Sequence, residues 1–364
     1  MRNTIGDNVT LTLFGESHGE YIGAVLDGIT PGVLIDYEFI NKQLKKRRPS
    51  GKTDTARIEL DEYQIISGIF NDYTTGAPLT IIIPNKNVKS KDYNNLKSIA
   101  RPSHADYTSY VKYNGYADYR GGGHFSGRIT APIVAIGAII IKALEKKNIF
   151  IGTHIKQCGN VIDTDFNNYY EEINKLNNRV FPVINDIEED IKKEIITCKE
   201  NNDSIGGILQ TAIIGLPAGL GDPWFSSIEG KLANALFSIG GIKGVEFGKG
   251  FDFANSVGSL VNDEFYLNDG KIMTKTNNNG GINGGITNGM PVVFNCAVKP
   301  TPSISKEQNT VDFIKKEEVK LTIDGRHDPA IVRRIAVVID SIVAIVIADL
   351  LATKYGNNFL KLED

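Results

Sequence analysis

Cysteine is scarce in this 364-residue sequence. The three cysteines, Cys158, Cys198 and Cys296, are widely separated, and no two of them lie at the spacing of metal ligands. This scarcity argues against a disulfide-stapled fold and a cysteine-based metal site, and it favours a reducing compartment. We therefore expect a cytoplasmic protein that holds no metal.

A strong charge of either sign is also missing. A formal net charge of −3 gives no general case for a nucleic-acid partner or a membrane surface. Residues 1–6 also lack the apolar stretch of a signal peptide, so we expect none. Local motifs must therefore reveal the function.

Neither of the two long apolar runs is expected to span a membrane. Residues 129–141 are too few to cross a bilayer, which takes about 20 residues. Residues 335–351 are longer but include Asp340 and Asp349. Both runs therefore predict buried core helices.

Two common nucleotide-binding motifs are absent as well. No Gly-x-Gly-x-x-Gly opens a helix within a βαβ unit, and no Gly-x-x-x-x-Gly-Lys-Ser/Thr sequence occurs. A Rossmann or P-loop nucleotide site is therefore disfavoured.

Glycine, in contrast, is abundant and clustered. The 37 glycines concentrate at 121–123, 206–207, 240–250 and 280–289. A residue without Cβ lets the backbone N–H groups wrap an anion or a flat ring, at the cost of conformational entropy. These clusters predict several close approaches of the backbone to a ligand.

The glycines at 121–123 open the most informative of these stretches. Ser126, Arg128 and Thr130 follow, and the apolar run 129–141 continues from them. A helix N-terminus beside an arginine favours a phosphate. A plain glycine turn that starts a core helix explains this stretch equally well.

Four of the five histidines, His18, His104, His124 and His327, lie in short loops beside an Arg, Glu or Asp. Core histidines are not distributed in this way, whereas catalytic groups often lie on loops over a rigid scaffold. The fifth, His154, lies in an apolar strand pattern and is expected to be structural. We infer one site that binds an anion and performs acid–base chemistry.

Two of these loops leave alternatives open. Ser17, beside His18, has the position of a nucleophile, but no third group completes a triad. Pro102 disfavours helix at Arg101, so the segment that carries Arg101, His104 and Asp106 is extended or a turn. Either Asp106 folds back to tune the pKa of His104, or the segment is a polar loop held by hydrogen bonds.

A cluster of cations follows the predicted helix 36–46. Its members are Lys45, Lys46, Arg47, Arg48 and Lys52. They either complement the dipole at the C-terminus of the helix or form a mobile anion clamp. Nucleic-acid binding is less well supported, because no aromatic residues are interleaved.

The hydrophobic pattern predicts alternating strands and helices. Strands are expected at 8–14, 22–26, 63–69, 79–83, 150–155, 206–215, 292–298 and 319–323. Helices are expected at 36–46, 129–147, 226–237 and after residue 329. Residues 161–204 are polar and are interpreted as a surface excursion.

Four motifs together resemble the signatures of the chorismate synthase family. Residues 15–19, Gly-Glu-Ser-His-Gly, continuing to 27–31, Asp-Gly-Ile-Thr-Pro, are similar to its first signature. Arg-Pro-Ser-His-Ala-Asp at 101–106 resembles the family's Arg-Pro-Gly-His-Ala-Asp. The stretch from Asp118 through Arg128 resembles the second signature, and Arg-His-Asp-Pro at 326–329 resembles the third.

This resemblance implies both a fold and a reaction. The fold is α+β, a β-α-β sandwich of two antiparallel sheets with helices packed between them, over a single domain 1–364 that assembles as a homotetramer. The reaction is a 1,4-anti elimination of phosphate from 5-enolpyruvylshikimate-3-phosphate to give chorismate. It requires reduced FMN without net redox change, with NADPH as a possible reductant.

The resemblance also implies roles for individual residues. His18 and His104 would be the catalytic histidines, one protonating the departing phosphate and the other the flavin, with Ser17 and Asp328 helping to move the proton from substrate C6. The flavin contacts would be His124, Phe125, Ser126, Gly240, Gly241, Gly284, Lys299, Pro300, Thr301, Pro302, Ser303 and Arg326. Arg47 matches a pyridine-nucleotide contact, and Arg47, Arg48, Arg101 and Arg128 would gather the phosphate and carboxylates of the substrate.

The chain departs from the family pattern beside the three glycines. Where the family usually has Arg-Ser-Ser-Ala-Arg, this chain has His-Phe-Ser-Gly-Arg at 124–128. One permanent cation near the flavin is therefore replaced by histidine, and a hydroxyl is replaced by a phenyl ring. The alternative function is a homologue that binds flavin or a phosphate ligand with impaired catalysis. A phosphotransferase is disfavoured, because no cluster of metal-binding carboxylates accompanies the glycine loops.

Overall fold

The computed structural model describes residues 2–55, 60–86, 97–323 and 327–361. The strands in these ranges are β1 Thr4–Ile5, β2 Thr10–Gly15, β3 Tyr21–Asp27, β4 Gln64–Ser67, β5 Ile69–Phe70, β6 Tyr73–Thr74, β7 Leu79–Pro84, β8 Phe150–Cys158, β9 Val161–Ile162, β10 Gly207–Ile214, β11 Ile242–Phe247, β12 Phe265–Asn268, β13 Lys271–Thr274, β14 Ile282–Asn283, β15 Ile286–Thr287, β16 Val292–Val298, β17 Gln308–Asp312 and β18 Glu317–Leu321. The helices are α1 Tyr37–Arg47, α2 Asp106–Lys112, α3 Thr130–Glu145, α4 Tyr169–Asn177, α5 Glu188–Glu200, α6 Ile228–Phe237, α7 Gly258–Val261 and α8 Val332–Tyr355.

The first sheet has the antiparallel order β1-β2-β3-β7-β4. Its side chains alternate because successive residues of a strand point to opposite faces. On β7, Leu79, Ile81 and Ile83 are fully buried, and the residues between them are half-buried. One face of this sheet therefore contributes to the core.

The second sheet has the antiparallel order β11-β16-β10-β8-β9. In the register of its centre, Leu209 lies opposite Cys296, and both side chains are buried. Its edge strand β11 has an irregular register between Ile242 and Gly244. This short, glycine-containing strand was missed by the sequence analysis, because its pattern of burial does not alternate.

Helices α3 and α8 form the layer between the two sheets. They pack against each other, α3 contacts β3 and β7 of the first sheet, and α8 contacts β8 and β10 of the second. Gly137 makes the close approach possible, because a Cβ at that position would lie 2.3 Å from Cβ of Ser341. The predicted β-α-β sandwich of two antiparallel sheets is confirmed.

Both long apolar runs lie in this central layer. Gly127–Glu145 and Val332–Tyr355 are long and apolar enough to cross a membrane by length and composition, yet their apolar windows are 78% and 100% buried within the protein. The prediction of two buried core helices is therefore confirmed. The first begins and ends about two residues earlier than the expected 129–147, because a 3₁₀ turn, Gly127–Ile129, leads into α3, which ends at Glu145.

Asp349 of α8 connects the last helix to the beginning of the chain. One carboxylate oxygen accepts hydrogen bonds from the backbone N–H groups of Asp7, Asn8 and Val9 at 3.0, 2.7 and 3.0 Å. The other oxygen accepts from Lys231 of α6 at 3.2 Å. These three hydrogen bonds from successive backbone N–H groups to one buried carboxylate hold the loop before β2 against the core.

The local predictions succeed where side-chain chemistry decides the structure. Asp36 caps α1 by accepting from the backbone of Phe39, and Ser227 caps α6 in the same manner. His154 is fully buried, contacts Gln210 at 3.3 Å and packs edge-on against Phe166, as a structural histidine should. Within 161–204, α4 and α5 occupy half of the polar stretch.

Candidate functional site

A cleft of about 2450 Å³ lies where the loops that carry the sequence motifs meet. The loop after β2, the turn before α3, the segment after β16 and the turn before α8 all contribute to its wall. The predicted site residues that line it are His18, Arg47, Arg101, His104, His124, Phe125, Ser126, Arg128, Gly240, Gly241, Lys299, Thr301, Pro302, Ser303 and Asp328. Segments separated by more than 200 residues in sequence therefore converge on one site.

Ser17 and His18 form one side of this site. The Ser17 hydroxyl lies 3.1 Å from His18 Nδ1 and within 3.2 Å of the carbonyl oxygens of Arg120 and Gly121. Ser17 is 1% exposed and does not line the cleft, whereas His18 does. The hydroxyl thus orients the imidazole against the glycine turn.

The three glycines make room for their neighbours. Gly121, Gly122 and Gly123 have φ values of 59°, 85° and 54°, which L-residues with a side chain rarely adopt. A Cβ on Gly121 would lie 2.1 Å from His18 Cε1, and a Cβ on Gly123 would lie 2.1 Å from the carbonyl oxygen of Asp118. The first glycine is therefore required by the packing of His18.

His124 and Phe125 end the glycine turn differently from each other. His124 Nδ1 lies 2.8 Å from the carbonyl oxygen of Gly15, so this nitrogen carries the hydrogen and donates it. The contact ties the glycine turn to the loop that holds His18. Phe125 is 51% exposed and packs against Tyr113, with 6.2 Å between the ring centroids.

His104 lies in the cleft wall beside the segment after β16. Its Nε2 lies 2.7 Å from the Ser303 hydroxyl, and Lys299 donates to the carbonyl oxygen of Ser103 at 2.8 Å. Burial lowers the pKa of His104 to about 4, and the positive charges of Arg101 and Lys299 act in the same direction. His104 is therefore neutral at pH 7 before any anion enters the cleft.

Asp106 pairs with Arg101. Two of its carboxylate contacts come from the guanidinium, at 2.9 and 2.7 Å, and a third comes from the Arg101 backbone N–H at 3.0 Å. The segment is a turn that leads into α2, a helix that the sequence analysis missed. Asp106 raises the pKa of His104 only through its charge, and that effect is outweighed.

Three arginines of the predicted anion site share one buried carboxylate, that of Asp61. Arg47 Nη1 and Arg48 Nε lie 3.5 and 3.6 Å from Asp61 Oδ2, and Arg128 Nη1 contacts Oδ1. Burial favours the neutral acid, but the charges of Arg47 and Arg128 outweigh it and lower the pKa of Asp61. Sequence reasoning missed Asp61, because a short acidic stretch before a strand, residues 59–62, gives no signal of three arginine partners.

Asp328 is held from two directions at the start of α8. The backbone N–H of Thr55 donates to it at 2.9 Å, and Arg334 donates at 2.6 Å. Arg334 also donates to the carbonyl oxygen of Arg47 at 2.7 Å. This network joins Asp328 to the arginine cluster, which is formed by Arg47, Arg48 and Arg128 around Asp61. Arg326, an expected flavin contact, lies outside the described residues.

Three further predicted residues do not line the cleft. Pro300 follows the end of β16, and Arg48 contacts Asp61, which does not line the cleft either. Gly284 lies in the turn between β14 and β15, where a Cβ would meet nothing within 4 Å. Their expected contacts with substrate or flavin stay predictions.

The whole chain resembles proteins of known function. Residues 9–352 match the sequence model of a family described as chorismate synthase. The chain is 48% identical over 355 residues to the chorismate synthase of Methanobrevibacter smithii, covering 96% of each chain. It is 45% identical over 344 residues to that of Pyrococcus abyssi, covering 94% of this chain and 96% of the other.

A solved structure described as a crystal structure of chorismate synthase has the same fold. The two superpose with a TM-score of 0.75 at 30% sequence identity, covering 97% of this chain and 94% of the other. The family match, the similarity to the two relatives and the shared fold all point to the same family as the four sequence motifs. The chain belongs to the chorismate synthase family.

Proposed function

We propose that this cleft catalyses the chorismate synthase reaction, the 1,4-anti elimination of phosphate from 5-enolpyruvylshikimate-3-phosphate. The protein is thus a carbon–oxygen lyase acting on a phosphate ester. The observation that carries the proposal is the convergence of His18, His104 and the arginine cluster on one cleft. The family to which the chain belongs supports the same reaction.

The charges of the cleft suit this substrate. The substrate carries a phosphate and two carboxylates, and each of these groups accepts a bidentate fork from arginine. Arg47, Arg101 and Arg128 line the cleft, together with Lys299. Arg101 and Arg128 are 9% and 8% exposed, so their interactions with an anion take place away from bulk water.

Binding of the substrate prepares the proton donor. In the free protein, burial and the nearby cations keep His104 neutral. Anions that pair with Arg101 and Lys299 oppose this effect, so the pKa of His104 rises when they bind. His18 and His104 then hold the two protons that the reaction uses, one for the departing phosphate and the other beside the flavin.

The residues present fit reduced FMN. The buried Thr301 hydroxyl lines the cleft and has no hydrogen-bond partner among the described residues, so it can donate to a ligand. Gly240 leaves open space where a Cβ would lie. The residues that would hold the flavin are His124, Phe125, Ser126, Gly240, Gly241, Lys299, Thr301, Pro302 and Ser303. When bound, reduced FMN supplies an electron transiently and recovers it, so that no net redox change results.

NADPH is the reductant we propose for the flavin. Arg47 is its expected contact, but this side chain is 2% exposed and is held by Asp61. Its burial favours a place in the arginine cluster over the binding of a large nucleotide.

Other copies of this chain are the proposed partners, assembled as a homotetramer in the cytoplasm. Several large apolar side chains between residues 224 and 267 are exposed: Trp224 (87%), Phe225 (99%), Phe251 (81%), Leu260 (80%) and Leu267 (74%). Exposed apolar surface of this kind marks protein–protein contacts. Association with further copies would cover it.

An anaerobic assay with purified protein and chemically reduced FMN tests the function. Chorismate formation, followed by its ultraviolet absorbance, is the expected result, and flavin or substrate binding without product would favour the impaired homologue. His104→Ala should lower kcat by about 10²-fold or more, the usual contribution of a general acid. Near-normal turnover in this variant would remove His104 from the mechanism.

A further inference from the structure

Asp61 occupies an unusual position beside the cleft. It lies three residues before β4. Its φ is 49°, in the left-handed region that residues with a side chain rarely adopt. Its side chain is fully buried. A buried carboxylate in a strained backbone conformation persists only where its partners compensate for the cost.

The partners of Asp61 come from two separate elements. Arg47 and Arg48 end α1, whereas Arg128 lies in the 3₁₀ turn that leads into α3. Arg47 also lies close to the carbonyl oxygen of Arg128, at 3.5 Å from its Nη2. The carboxylate is therefore the point at which the end of α1 and the glycine turn are joined.

The charges in this cluster do not cancel. Three guanidiniums against one carboxylate leave a surplus of two positive charges among these four side chains. Arg47 and Arg128 are 2% and 7% exposed at their side chains, so water screens their mutual repulsion poorly. The Asp61 carboxylate therefore offsets part of the repulsion between these guanidiniums.

We propose that Asp61 is a positioning residue for the reaction: its carboxylate fixes the places of Arg47 and Arg128, which line the cleft where the anions of the substrate bind, while Arg48 holds the same carboxylate without lining the cleft. This inference rests on the proposed role of the arginines in substrate binding. Asp61 itself acts through them and does not touch the substrate. Its carboxylate limits the number of arrangements that the arginines sample before binding, which lowers the entropic cost of binding.

A simple electrostatic role predicts the opposite result from a positioning role. Asp61→Asn removes a negative charge, so the cluster becomes more positive. If Asp61 only competes with anions for the arginines, the variant binds phosphate more tightly. If Asp61 positions the arginines, binding weakens although the positive potential has increased.

The experiment measures both binding and turnover of the full-length protein. Inorganic phosphate binding is measured by calorimetry, and kcat and KM are measured with 5-enolpyruvylshikimate-3-phosphate and reduced FMN. We expect Asp61→Asn to weaken phosphate binding and to raise KM by about tenfold or more, with a smaller change in kcat, because the arginines contact the substrate before and during the reaction. Unchanged or tighter phosphate binding would overturn the inference.

Asp163→Asn is the matched control. Asp163 is also a buried aspartate, but it lies beside His154 and accepts from the backbone of Ile184 at 2.7 Å, away from the cleft. Loss of a buried carboxylate there should lower stability and leave the KM of the folded protein unchanged. An equal rise of KM in both variants would reduce the effect to general destabilisation and reject a positioning role.

A double variant keeps the inference testable if Asp61→Asn fails to fold. Asp61→Asn combined with Arg48→Gln removes one charge of each sign, so the surplus in the cluster stays the same. Its phosphate affinity should be lower than that of Arg48→Gln alone, and equal affinities would reject the inference. If the wild-type protein itself forms no chorismate, the proposed function fails. Normal turnover of the wild type with an unaffected Asp61 variant rejects only the inference.

Discussion

Gly121→Ala is the most direct test of how the glycine turn serves the site. The added Cβ would lie 2.1 Å from His18 Cε1, 2.3 Å from His18 Nδ1 and 2.9 Å from the Ser17 hydroxyl. The neighbouring Gly122 is the matched control, because a Cβ there meets only Ser126 Cβ at 3.9 Å. Both glycines have positive φ, so both substitutions introduce backbone strain.

The magnitudes follow from these distances. Non-bonded carbon atoms prefer about 3.5–4.0 Å, so the His18 ring must move by more than about 1 Å in Gly121→Ala. A displacement of that size at a catalytic group can cost about 10²-fold in rate. The left-handed conformation costs roughly 1–2 kcal/mol for alanine in either variant. Gly121→Ala should therefore lose stability and turnover, and Gly122→Ala mainly stability.

The comparison requires two measurements on each variant. Urea unfolding gives the loss of stability, and anaerobic chorismate formation at full folding gives kcat. We expect Gly121→Ala to have the lower unfolding free energy, because the clash with His18 adds to the backbone strain that both variants share, and to have a kcat that is about 10²-fold lower. Equal kcat values in the two folded variants would refute the conclusion that Gly121 is glycine because of His18.

Two further predictions concern protonation and stability. The pKa of His104 is lowered from 6.5 to about 4, so the unfolded chain binds this proton first, and about 3 kcal/mol of stability is lost as the pH falls from 6.5 through 4. Urea unfolding of His104→Gln should lack this part of the pH dependence. NMR titration of the wild-type His104 ring should show a higher pKa with saturating phosphate than without it. A His104 pKa near 6.5 in the free protein would contradict both expectations. Asp349→Ala leaves the N–H groups of Asp7, Asn8 and Val9 without their acceptor, and it should lower the unfolding free energy by about 3 kcal/mol or more. Asp349→Asn, which keeps a carbonyl acceptor, should lose less, and a loss under about 1 kcal/mol for the alanine variant would contradict the prediction.

The sequence predicts the elements whose structure is decided by nearby residues. The strand expected at 292–298 coincides with β16, and the cap at Asp36 starts α1 as expected. The order of strands within each sheet could not be predicted in this way, because it depends on contacts between residues far apart in sequence. The resemblance to a family supplied the sandwich of sheets that local patterns do not define.

In the candidate site, too, the sequence predicts individual residues but not the contacts between distant ones. The histidines and arginines that line the cleft stand out in the sequence, because their loops combine glycine with charge. The partners that control them do not: Asp61 joins three arginines, and Asp106 pairs with Arg101 instead of His104. Which carboxylate meets which cation depends on the packing of whole elements, and that packing is not written in the spacing of a motif.

The contact of Asp349 with the first loop also bears on how the chain folds during synthesis. Its three backbone partners precede it by 340 to 342 residues. The same helix covers β8 and β10, so the second sheet cannot bury its inner face before α8 has left the ribosome, whereas α3 can cover β3 and β7 of the first sheet earlier. Almost the entire polypeptide must therefore be made before the core can close, and contacts at such separation favour slow folding. The strands of the second sheet stay exposed during that time, and exposed apolar strands favour aggregation.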